Sequence, residues 1–264
     1  MKIDLDGRTA LISGSSQGIG LAIATELARS GARVVINGRN RSALDEAEQQ
    51  LRTAVPGARV LVVAADLSTA DGVESMLEKV PAVDILVNNL GIFGAKAALE
   101  ISDAEWLRYF EVNVLSAIRL VRTYLPAMIE SGWGRVQNIC SDSAVVIPEE
   151  MIHYGMTKTA LLAVTRGFAK AAARTGVTVN SIIVGPTHTA GVEDFVADLV
   201  GTDLSWDEAQ AKFMKENRPQ SLIGRLIEPA EVGNMVVYLS SDQASATTGG
   251  ALRVDGGYVD SILP

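Results

Sequence analysis

The clearest chemical signal in this sequence is a tyrosine followed four residues later by a lysine, Tyr154 and Lys158. On a helix, side chains at this interval project from one face, about one turn apart. An ammonium group beside a phenol favours the phenolate, so we expect Lys158 to lower the pKa of Tyr154 from about 10 towards the working pH. Such a phenol is a candidate general acid/base, and Ser141 precedes it at the spacing that a proton-transfer site of this kind needs. The same interval also occurs in many helices without any chemical role, so the pair needs independent support.

A glycine-rich turn near the N-terminus provides that support. Residues 13–20 read Ser-Gly-Ser-Ser-Gln-Gly-Ile-Gly, between an apolar run at 9–12 that predicts a buried strand and a segment at 21–28 that predicts a helix. Glycines let the backbone approach phosphates, while the first-turn N–H groups and the helix dipole favour negative charge. We interpret the turn as a site for the pyrophosphate of a dinucleotide, with an ordinary glycine-rich turn as the alternative. The candidate contacts are Gly14, Ser16, Gln17, Gly18, Ile19 and Gly20.

The elements that must position these residues follow a regular alternation. Short β-branched runs at 33–36, 59–63, 83–87, 135–139 and 177–183 predict strands, and segments at 42–54, 103–131 and 154–174 predict amphipathic helices. Strand–helix alternation predicts an α/β fold with a doubly wound parallel sheet and helices on both faces. Ligands of such sheets bind at the carboxyl ends of the strands, beside the point where the strand order reverses. The motifs above follow strands or begin helices, so we expect them at that edge.

Composition limits the classes of function. The chain has 264 residues, of which 48% are hydrophobic, and no linker or repeat divides it, which predicts one domain over residues 1–264. A formal net charge of −8 argues against nucleic acid or an anionic membrane as a partner. The first residues carry acids where a signal peptide has an apolar run, and apolar stretches such as 60–65 are too short to span a membrane. We therefore expect a cytoplasmic protein.

The sequence predicts neither a disulfide nor a metal site. Cys140 is the single cysteine, and its apolar surroundings favour a buried structural thiol over a reactive one. The two histidines, His153 and His188, have no partners at the spacing of metal ligands. They flank Tyr154 and follow residues 185–186, so we interpret them as candidates for the mouth of a substrate pocket, with solvent-facing positions as the alternative. Ser143, Ile147 and Met151 complete the candidate pocket, which would be partly apolar.

Taken in order, these motifs resemble the short-chain dehydrogenase/reductase family, in its compact single-domain branch, over about residues 5–257. The chain is similar to 3-oxoacyl-[acyl-carrier-protein] reductases and to gluconate 5-dehydrogenase-like members. The family's Asn-Asn-Ala-Gly corresponds to residues 88–91, where Leu90 replaces the alanine, and its Pro-Gly-x-x-x-Thr to residues 184–189, where Val184 replaces the proline. Ser13 stands where the family has threonine. The resemblance implies a Rossmann-type sheet of seven strands, the last near 251–254.

The resemblance also implies a reaction, the transfer of a hydride between C4 of a nicotinamide and a carbonyl or alcohol carbon. Tyr154 would protonate the developing alkoxide, or act as base in the reverse direction, and Lys158 would hold the nicotinamide ribose. Ser141 would hydrogen-bond the substrate oxygen. Asn113 would kink its helix and anchor a water that links Lys158 to solvent, the alternative being a polar residue on a helix face. Further implied contacts to the cofactor are Asn89, Gly91, Thr187 and Thr189.

The end of the second strand bears on the choice of cofactor. A free ribose 2′-hydroxyl favours a carboxylate there and a 2′-phosphate an arginine, and the chain has Asn37 and Arg39 without an acid. We therefore expect NADP(H) rather than NAD(H), although Asn37 could bind either group and Arg39 could be a solvated loop residue. Asp66 and Leu67 resemble the family's adenine contact. Asp66 could instead cap the following helix, for which Ser68 is equally suited.

The expected function is the NADPH-dependent reduction of a ketone, of the 3-oxoacyl type. The alternative is NAD-dependent oxidation of an alcohol, sugar or hydroxysteroid, and a non-catalytic dinucleotide-binding redox sensor is a further one. In the family, the four-residue interval between tyrosine and lysine favours a carbonyl substrate over a carbon–carbon double bond. Residues 188–217 would cover a small-molecule carbonyl or alcohol substrate, or else form a surface helix. Members of the family usually assemble as oligomers, so the resemblance implies a homo-oligomer, a tetramer or a dimer.

Overall fold

The central feature of the fold is a parallel sheet, seen in a computed structural model that describes residues 3–201 and 203–262. In this described part, the sheet has seven strands in the order β3-β2-β1-β4-β5-β6-β7. This confirms the predicted Rossmann-type, doubly wound, seven-stranded fold. The span predicted for the domain, 1–264, also includes residues 1, 2, 202, 263 and 264, which lie outside the described part. The strands are β1 Thr9–Ile12, β2 Arg33–Gly38, β3 Val60–Ala64, β4 Ile85–Asn88, β5 Gly134–Ser141, β6 Val177–Val184 and β7 Ala251–Val254.

Helices cover both faces of this sheet. They are α1 Gly18–Arg29, α2 Arg41–Ala54, α3 Ala70–Lys79, α4 Asp103–Phe110, α5 Ser116–Ser131, α6 Ile152–Ala171, α7 Ala190–Val200, α8 Trp206–Asn217 and α9 Pro229–Leu239. Alternate residues of each strand enter opposite apolar clusters. Ile12 packs with α1, α2 and α9 on one face, and Leu11 packs with α3, α5 and α6 on the other. Because the strands are buried on both sides, their sequences are continuous apolar runs rather than alternating ones.

The strand order reverses beside β1. Ile12 pairs with Ile36 of β2 on one side and with Val87 of β4 on the other, and all three strands are parallel. The connections from β1 and β4 therefore leave in opposite directions and open a crevice at the carboxyl ends of these strands. The glycine-rich turn and residues 88–91 both begin there, as the sequence predicts.

The helix predicted over 103–131 is interrupted. A π-helical turn, Glu111–Leu115, separates α4 from α5 and contains Asn113, whose side chain is buried. Residues Asp103–Ser131 are long and apolar enough to cross a membrane, but half of the apolar window is buried inside the protein, as in a core helix of a soluble protein. Within this stretch, α5 contributes its buried residues to the apolar core, and the π turn lies beside the carboxyl edge of the sheet.

The segment predicted to cover a substrate, 188–217, contains α7 and α8, and Thr202 between them lies outside the described residues. The two helices share a small apolar cluster that includes Val196, Val200, Phe213 and Met214. On α7, Leu199 is exposed, whereas Val196 and Val200 are buried. Phe195 points at the neighbouring rings of Phe93 and Phe213 with edge-on geometry. The segment is thus a helical pair with its own core, packed over the carboxyl edge.

Candidate active site

The turn between β1 and α1 has the geometry that the glycines predict. Gly14 and Gly18 have φ angles of +62° and +56°, a conformation that favours glycine. A methyl group at Gly20 would lie 2.4 Å from the carbonyl oxygen of Gly14, so the backbone passes too closely for any side chain. Gln17 precedes α1 without capping it, and the first turn of α1 has no acidic residue. The N–H groups at this helix end are therefore open to an anionic ligand.

Residues after β4 hold this turn in place. The Nδ2 of Asn89 donates to the carbonyl oxygens of Ser13 and Gly14 at 3.1 and 2.8 Å. In return, the Oγ of Ser13 accepts hydrogen bonds from the backbone N–H groups of Asn89 and Leu90, both at 3.0 Å. Ser13, the serine that replaces the family's threonine, therefore joins the two loops at the crevice. Asn89 braces the turn with its side chain, a role that its position in the motif does not reveal.

The side chain of Asn37, a predicted contact of the cofactor, makes hydrogen bonds inside the protein. Its buried side chain accepts from the N–H of Gly14 at 3.3 Å and donates to the carbonyl oxygens of Val63 and Ala65, both at 3.1 Å. These bonds use both N–H donors of the amide. The sheet register places Asn37 between β1 and β3, where unpaired backbone groups need partners, and its contact with the cofactor stays a prediction.

The predicted contacts beyond β2 and β3 differ in their exposure and in their partners within the protein. They are Arg39, Asp66 and Leu67. The side chain of Arg39 is 77% exposed, and its Nη1 lies 3.9 Å from Oδ2 of Asp66. The Oδ1 of Asp66 accepts from the N–H and hydroxyl of Ser68. The cap of α3 is Thr69, which accepts from the N–H of Gly72 at 3.0 Å, so neither Asp66 nor Ser68 caps that helix. The side chain of Leu67 is buried in the apolar core.

Ser141, Tyr154 and Lys158 line one cavity of about 310 Å³ together with the glycine turn. Ser141 ends β5, and Tyr154 and Lys158 lie in the first half of α6. The Nζ of Lys158 is 5.6 Å from the centre of the Tyr154 ring and donates to the carbonyl oxygen of Ile139 at 2.9 Å. The structure therefore brings the three residues together at the carboxyl end of β5.

The predicted effect of Lys158 on Tyr154 is wrong for this structure. Burial raises the pKa of Tyr154 above its ordinary value, the nearby charge of Asp142 raises it further, and hydrogen bonding with Ser141 opposes both. Burial also lowers the pKa of Lys158. Both shifts have the same cause, because removal from water disfavours the charged form of any group. Tyr154 is thus a neutral phenol that keeps its proton in the absence of a substrate.

Asn113 lies behind Lys158, in the π turn. Its Oδ1 accepts from the N–H of Ile92 at 2.8 Å, and its Nδ2 donates to the carbonyl of Ile92 at 2.9 Å and to Oγ1 of Thr157 at 3.0 Å. The side chain therefore ties the loop after β4 to the residue before Lys158. A methyl group at Gly91 would lie 3.4 Å from Nζ of Lys158 and 3.5 Å from Oδ1 of Asn113, so these three residues meet. The water link through Asn113 stays a prediction.

The other predicted residues divide into two groups. Among those that line the cavity are Gly14, Gln17, Gly18, Ile19, Gly20, Asn89, Gly91, Ser143, Met151, Thr187 and Thr189. Ser16, Asn37, Arg39, Asp66 and Leu67 do not line it. Ser16 nevertheless lies close to the end of β2, because a methyl group at Gly38 would come within 3.3 Å of its Oγ. The first group surrounds the place where the turn meets Tyr154, and the second lies towards β2 and β3.

Both histidines and Ile147 lie away from the cavity. His153 packs between Tyr109 and Trp106, with ring centres 4.0 and 6.0 Å away. It follows from helix geometry that a neighbour of Tyr154 in sequence points about 100° away from it, here towards α4. The Nε2 of His188 lies 2.8 Å from Oε1 of Glu193, and its ring stacks on Trp206. Ile147 is half-exposed and packs against Gly155 instead.

Two charged residues of the cavity escaped prediction, Asp142 and Arg218. Both are buried, at 5% and 8% exposure. An acid directly after Ser141, at the end of an apolar strand, was a signal that could have identified Asp142. Arg218 offers no comparable signal, because it follows α8 in a polar stretch and only the packing of that helix buries it. Phe93, Phe195 and Phe213 form an apolar wall of the same cavity.

Comparison with known proteins finds relatives along the whole chain. A family model described as enoyl-(acyl carrier protein) reductase matches residues 14–259. The uncharacterized oxidoreductase YvaG of Bacillus subtilis (strain 168) is 48% identical over 264 residues and covers 100% of both chains. D-beta-hydroxybutyrate dehydrogenase of Cupriavidus necator is 34% identical over 97% of this chain and 99% of its own. The crystal structure of L-sorbose reductase from Gluconobacter frateurii, complexed with NADPH and L-sorbose, is 33% identical, with a TM-score of 0.93 over 99% of this chain and 100% of that one.

Proposed function

The chain belongs to the short-chain dehydrogenase/reductase family, whose oxidoreductases act on CH–OH and C=O groups with NAD(P), and on this premise we propose that it reduces a ketone to a secondary alcohol with NADPH. The observation that carries the proposal is the single cavity lined by Ser141, Tyr154, Lys158 and the glycine turn. One cavity thus holds a proton donor in Tyr154, a hydrogen-bond donor in Ser141 and a cation in Lys158. The phosphate-binding backbone of the turn lies in the same cavity.

The residues of the cavity fit a dinucleotide. The uncapped N-terminus of α1 can receive a pyrophosphate, and the close approach of Gly20 to Gly14 leaves backbone, not side chain, at its surface. When bound, the nicotinamide supplies the hydride. Gly91 and Lys158 would hold the ribose next to it. The remaining contacts that we assign to the cofactor are Gly14, Ser16, Gln17, Gly18, Ile19, Asn89, Thr187 and Thr189.

Protons are handled by the protein. We assign to Tyr154 the donation of its phenolic proton to the oxygen that becomes the alcohol, because burial keeps the phenol protonated until a negative charge develops beside it. Ser141 would hydrogen-bond the same oxygen. Lys158 would stabilise the phenolate that remains, since its Nζ lies 5.6 Å from the centre of that ring. Phe93, edge-on to Tyr154 with ring centres 6.2 Å apart, would help to exclude water.

NADP(H) is the cofactor that we favour over NAD(H). Arg39 is exposed at the end of β2, and its weak ion pair with Asp66 at 3.9 Å leaves the guanidinium able to turn towards a phosphate. Ser16 lies against Gly38, next to Arg39, and could add a hydroxyl donor. L-sorbose reductase, one of the relatives, is complexed with NADPH, which supports this choice.

Three other functions compete with this one. NAD-dependent oxidation of an alcohol is favoured by the relative that is a D-beta-hydroxybutyrate dehydrogenase. Reduction of a carbon–carbon double bond is suggested by the description of the family model. Against the latter, the tyrosine and lysine are four residues apart, the interval that the family uses for carbonyl substrates. A redox sensor would need the glycine turn but would have no need of Ser141, Tyr154 and Lys158 together.

An assay of a ketone panel with NADPH and NADH, and of the matching alcohols with NADP⁺ and NAD⁺, tests this function. We expect ketone-dependent oxidation of NADPH. Turnover of enoyl substrates alone would reject ketone reduction, and binding of NADPH without turnover of any substrate would favour the sensor.

We further propose one domain over residues 1–264, in which residues 188–217 cover the substrate, since Phe195 and Phe213 of that segment line the cavity. We also propose a cytoplasmic homo-oligomer, a tetramer or a dimer. Leu107 and Phe110 on α4 are 69% and 40% exposed, and association of copies would cover them. Light scattering of the purified protein measures this directly, and a monomer would exclude it.

A further inference from the structure

Arg218 is a buried cation without a counter-ion. It follows α8, is 8% exposed and lines the same cavity as Tyr154. Its Nη1 donates to the carbonyl oxygen of Asn217 at 2.7 Å, whereas Nε has no hydrogen-bond partner in the described part of the chain. Within that part, no carboxylate oxygen lies within 4.0 Å of its guanidinium. Buried arginines are otherwise paired, because an unpaired charge in a low-dielectric site is costly.

Asp142 is the second unsatisfied group in this cavity. Its Oδ1 accepts from Oγ of Ser141 at 2.8 Å and from the N–H of Ser143 at 2.7 Å, but Oδ2 has no partner among the described residues. Asp142 and Arg218 influence each other electrostatically without forming an ion pair. One carboxyl oxygen and one guanidinium N–H are thus left to bind something else in the cavity.

Aromatic rings connect Arg218 to Tyr154. The ring centres of Tyr154 and Phe93 are 6.2 Å apart, those of Phe93 and Phe195 6.3 Å, and those of Phe195 and Phe213 6.3 Å. The guanidinium carbon of Arg218 lies 5.2 Å from the centre of the Phe213 ring. A continuous apolar wall therefore runs from the phenol to the cation. A substrate with its reacting carbon at Tyr154 would extend along this wall towards Arg218.

We propose that Arg218 binds the carboxylate of the substrate, so that the natural substrate is a small oxo or hydroxy carboxylic acid. This rests on the proposed function, because the reacting carbon is placed at Tyr154 and Ser141. A carboxylate matches the planar fork of a guanidinium and supplies the counter-ion that Arg218 lacks. The free Oδ2 of Asp142 accepts a hydrogen bond from a hydroxyl group of those substrates that carry one. The protein carries a net charge of −8, so an anionic substrate needs a local cation of this kind.

The test measures binding rather than turnover. Calorimetric titration of the full-length protein saturated with NADP⁺, which has no hydride to transfer to a ketone, follows the binding of acetoacetate and acetoacetamide, of 4-oxopentanoate and its amide, and of 5-oxogluconate and neutral L-sorbose. In at least one pair, we expect the acid to bind the wild type at least about 10-fold more tightly than its neutral partner. Arg218→Gln should weaken binding of the acid by roughly 10- to 100-fold and binding of the neutral partner by less than about 3-fold.

Lys215→Gln is the matched control. Lys215 is exposed on α8, so the substitution removes one positive charge nearby without altering the cavity. The affinities for the acid and for the neutral ligand should both stay unchanged. Arg218→Lys keeps the charge while losing the fork, and it should retain a reduced preference for the acid even if Arg218→Gln folds poorly. Equal binding of acid and neutral ligand by the wild type in all pairs, or equal weakening of both by the Arg218 variants, would overturn the inference. Acid-selective binding without turnover of any ketone or alcohol would reject the proposed function while leaving this role of Arg218 intact.

Discussion

The Oγ of Ser141 donates a hydrogen bond to Oδ1 of Asp142 over 2.8 Å. The hydroxyl that we assign to the substrate oxygen is therefore oriented by an acidic neighbour. The same Oδ1 accepts from the N–H of Ser143, which fixes the turn that follows β5. When a substrate oxygen enters, Ser141 must turn away from Asp142 to donate to it, so the charge on Asp142 opposes that step.

Asp142→Asn should stabilise the protein at neutral pH. Burial raises the pKa of Asp142, although its hydrogen bonds and the charge of Arg218 partly offset this. A carboxyl whose pKa is higher in the folded state contributes stability below its unfolded pKa of about 3.9, and this contribution is lost as the pH rises through the folded value. Asn cannot ionise, so the variant keeps the stability that the wild type loses when Asp142 ionises. We expect a higher Tm for the variant at pH 7 and a difference that disappears below about pH 4.

The other titratable and charged groups that act on this carboxyl are Tyr154 of α6, Arg218 after α8 and Tyr258 near the C-terminus. Thermal unfolding of wild type and variant across this pH range checks the prediction. A variant that is less stable at every pH would mean that the charged form of Asp142 is favoured in the folded protein.

Tyr154→Phe should abolish turnover while NADPH still binds. The substitution removes the proton donor and leaves the ring, its packing on Phe93 and the glycine turn in place. Loss of a general acid lowers the rate by about 10² to 10⁴. The measurement is kcat for a ketone substrate together with the Kd of NADPH. Tyr109→Phe, which deletes the hydroxyl of a half-buried tyrosine packed on His153, should behave like the wild type. Normal turnover by Tyr154→Phe would contradict the assignment.

Prediction from the sequence succeeded where spacing along one element determines position. Tyr154 and Lys158 are one helical turn apart on α6, and the glycines require the turn they form. His153 is adjacent to Tyr154 in sequence, yet it faces α4, because neighbours on a helix point in different directions. Adjacency in sequence therefore misplaced a pocket residue that the helical period would have excluded.

The position of Arg218 in the cavity could not be predicted in this way. Asp142 follows β5 and Arg218 follows α8, and only the packing of Phe213 and Tyr258 on the guanidinium buries it in the cavity. Asn37 shows the reverse case. Its residue type suits a ligand, but pairing of β2 with β1 and β3 directs its amide to the backbone of the glycine turn and of β3. Both outcomes depend on contacts between distant segments.

Arg39→Gln should reduce the preference for NADPH. If Arg39 binds the 2′-phosphate, loss of the guanidinium weakens binding of NADPH by roughly 10- to 100-fold and leaves binding of NADH almost unchanged. Titration of both cofactors against wild type and variant provides the ratio. Arg41→Gln, two residues further on, removes an exposed arginine paired with Asp45 and should alter neither affinity. If NADH binds the wild type at least as tightly as NADPH, our interpretation of Arg39 is wrong.

Gly20→Ala should prevent cofactor binding, because the added methyl group has no space. It would lie 2.4 Å from the carbonyl oxygen of Gly14 and 2.5 Å from Nδ2 of Asn89. To admit it, the turn must open and the hydrogen bond from Asn89 to Gly14 must break, which moves the N–H groups that receive the pyrophosphate. We expect a loss of NADPH affinity of at least about 100-fold and a lower Tm, since a lost buried hydrogen bond costs about 1–3 kcal/mol.

Gly167→Ala is the matched control for this substitution. Gly167 is exposed on α6 and a methyl group there meets nothing within 4 Å, so alanine should leave NADPH binding unchanged. It should also stabilise the helix by up to about 1 kcal/mol, because alanine has the higher helix propensity. Both variants are compared with the wild type by NADPH titration and by thermal unfolding. Since the two substitutions add the same methyl group, a difference in cofactor affinity reports the geometry of the turn rather than the loss of a glycine. Unchanged NADPH affinity in Gly20→Ala would show that the pyrophosphate does not bind at the N-terminus of α1.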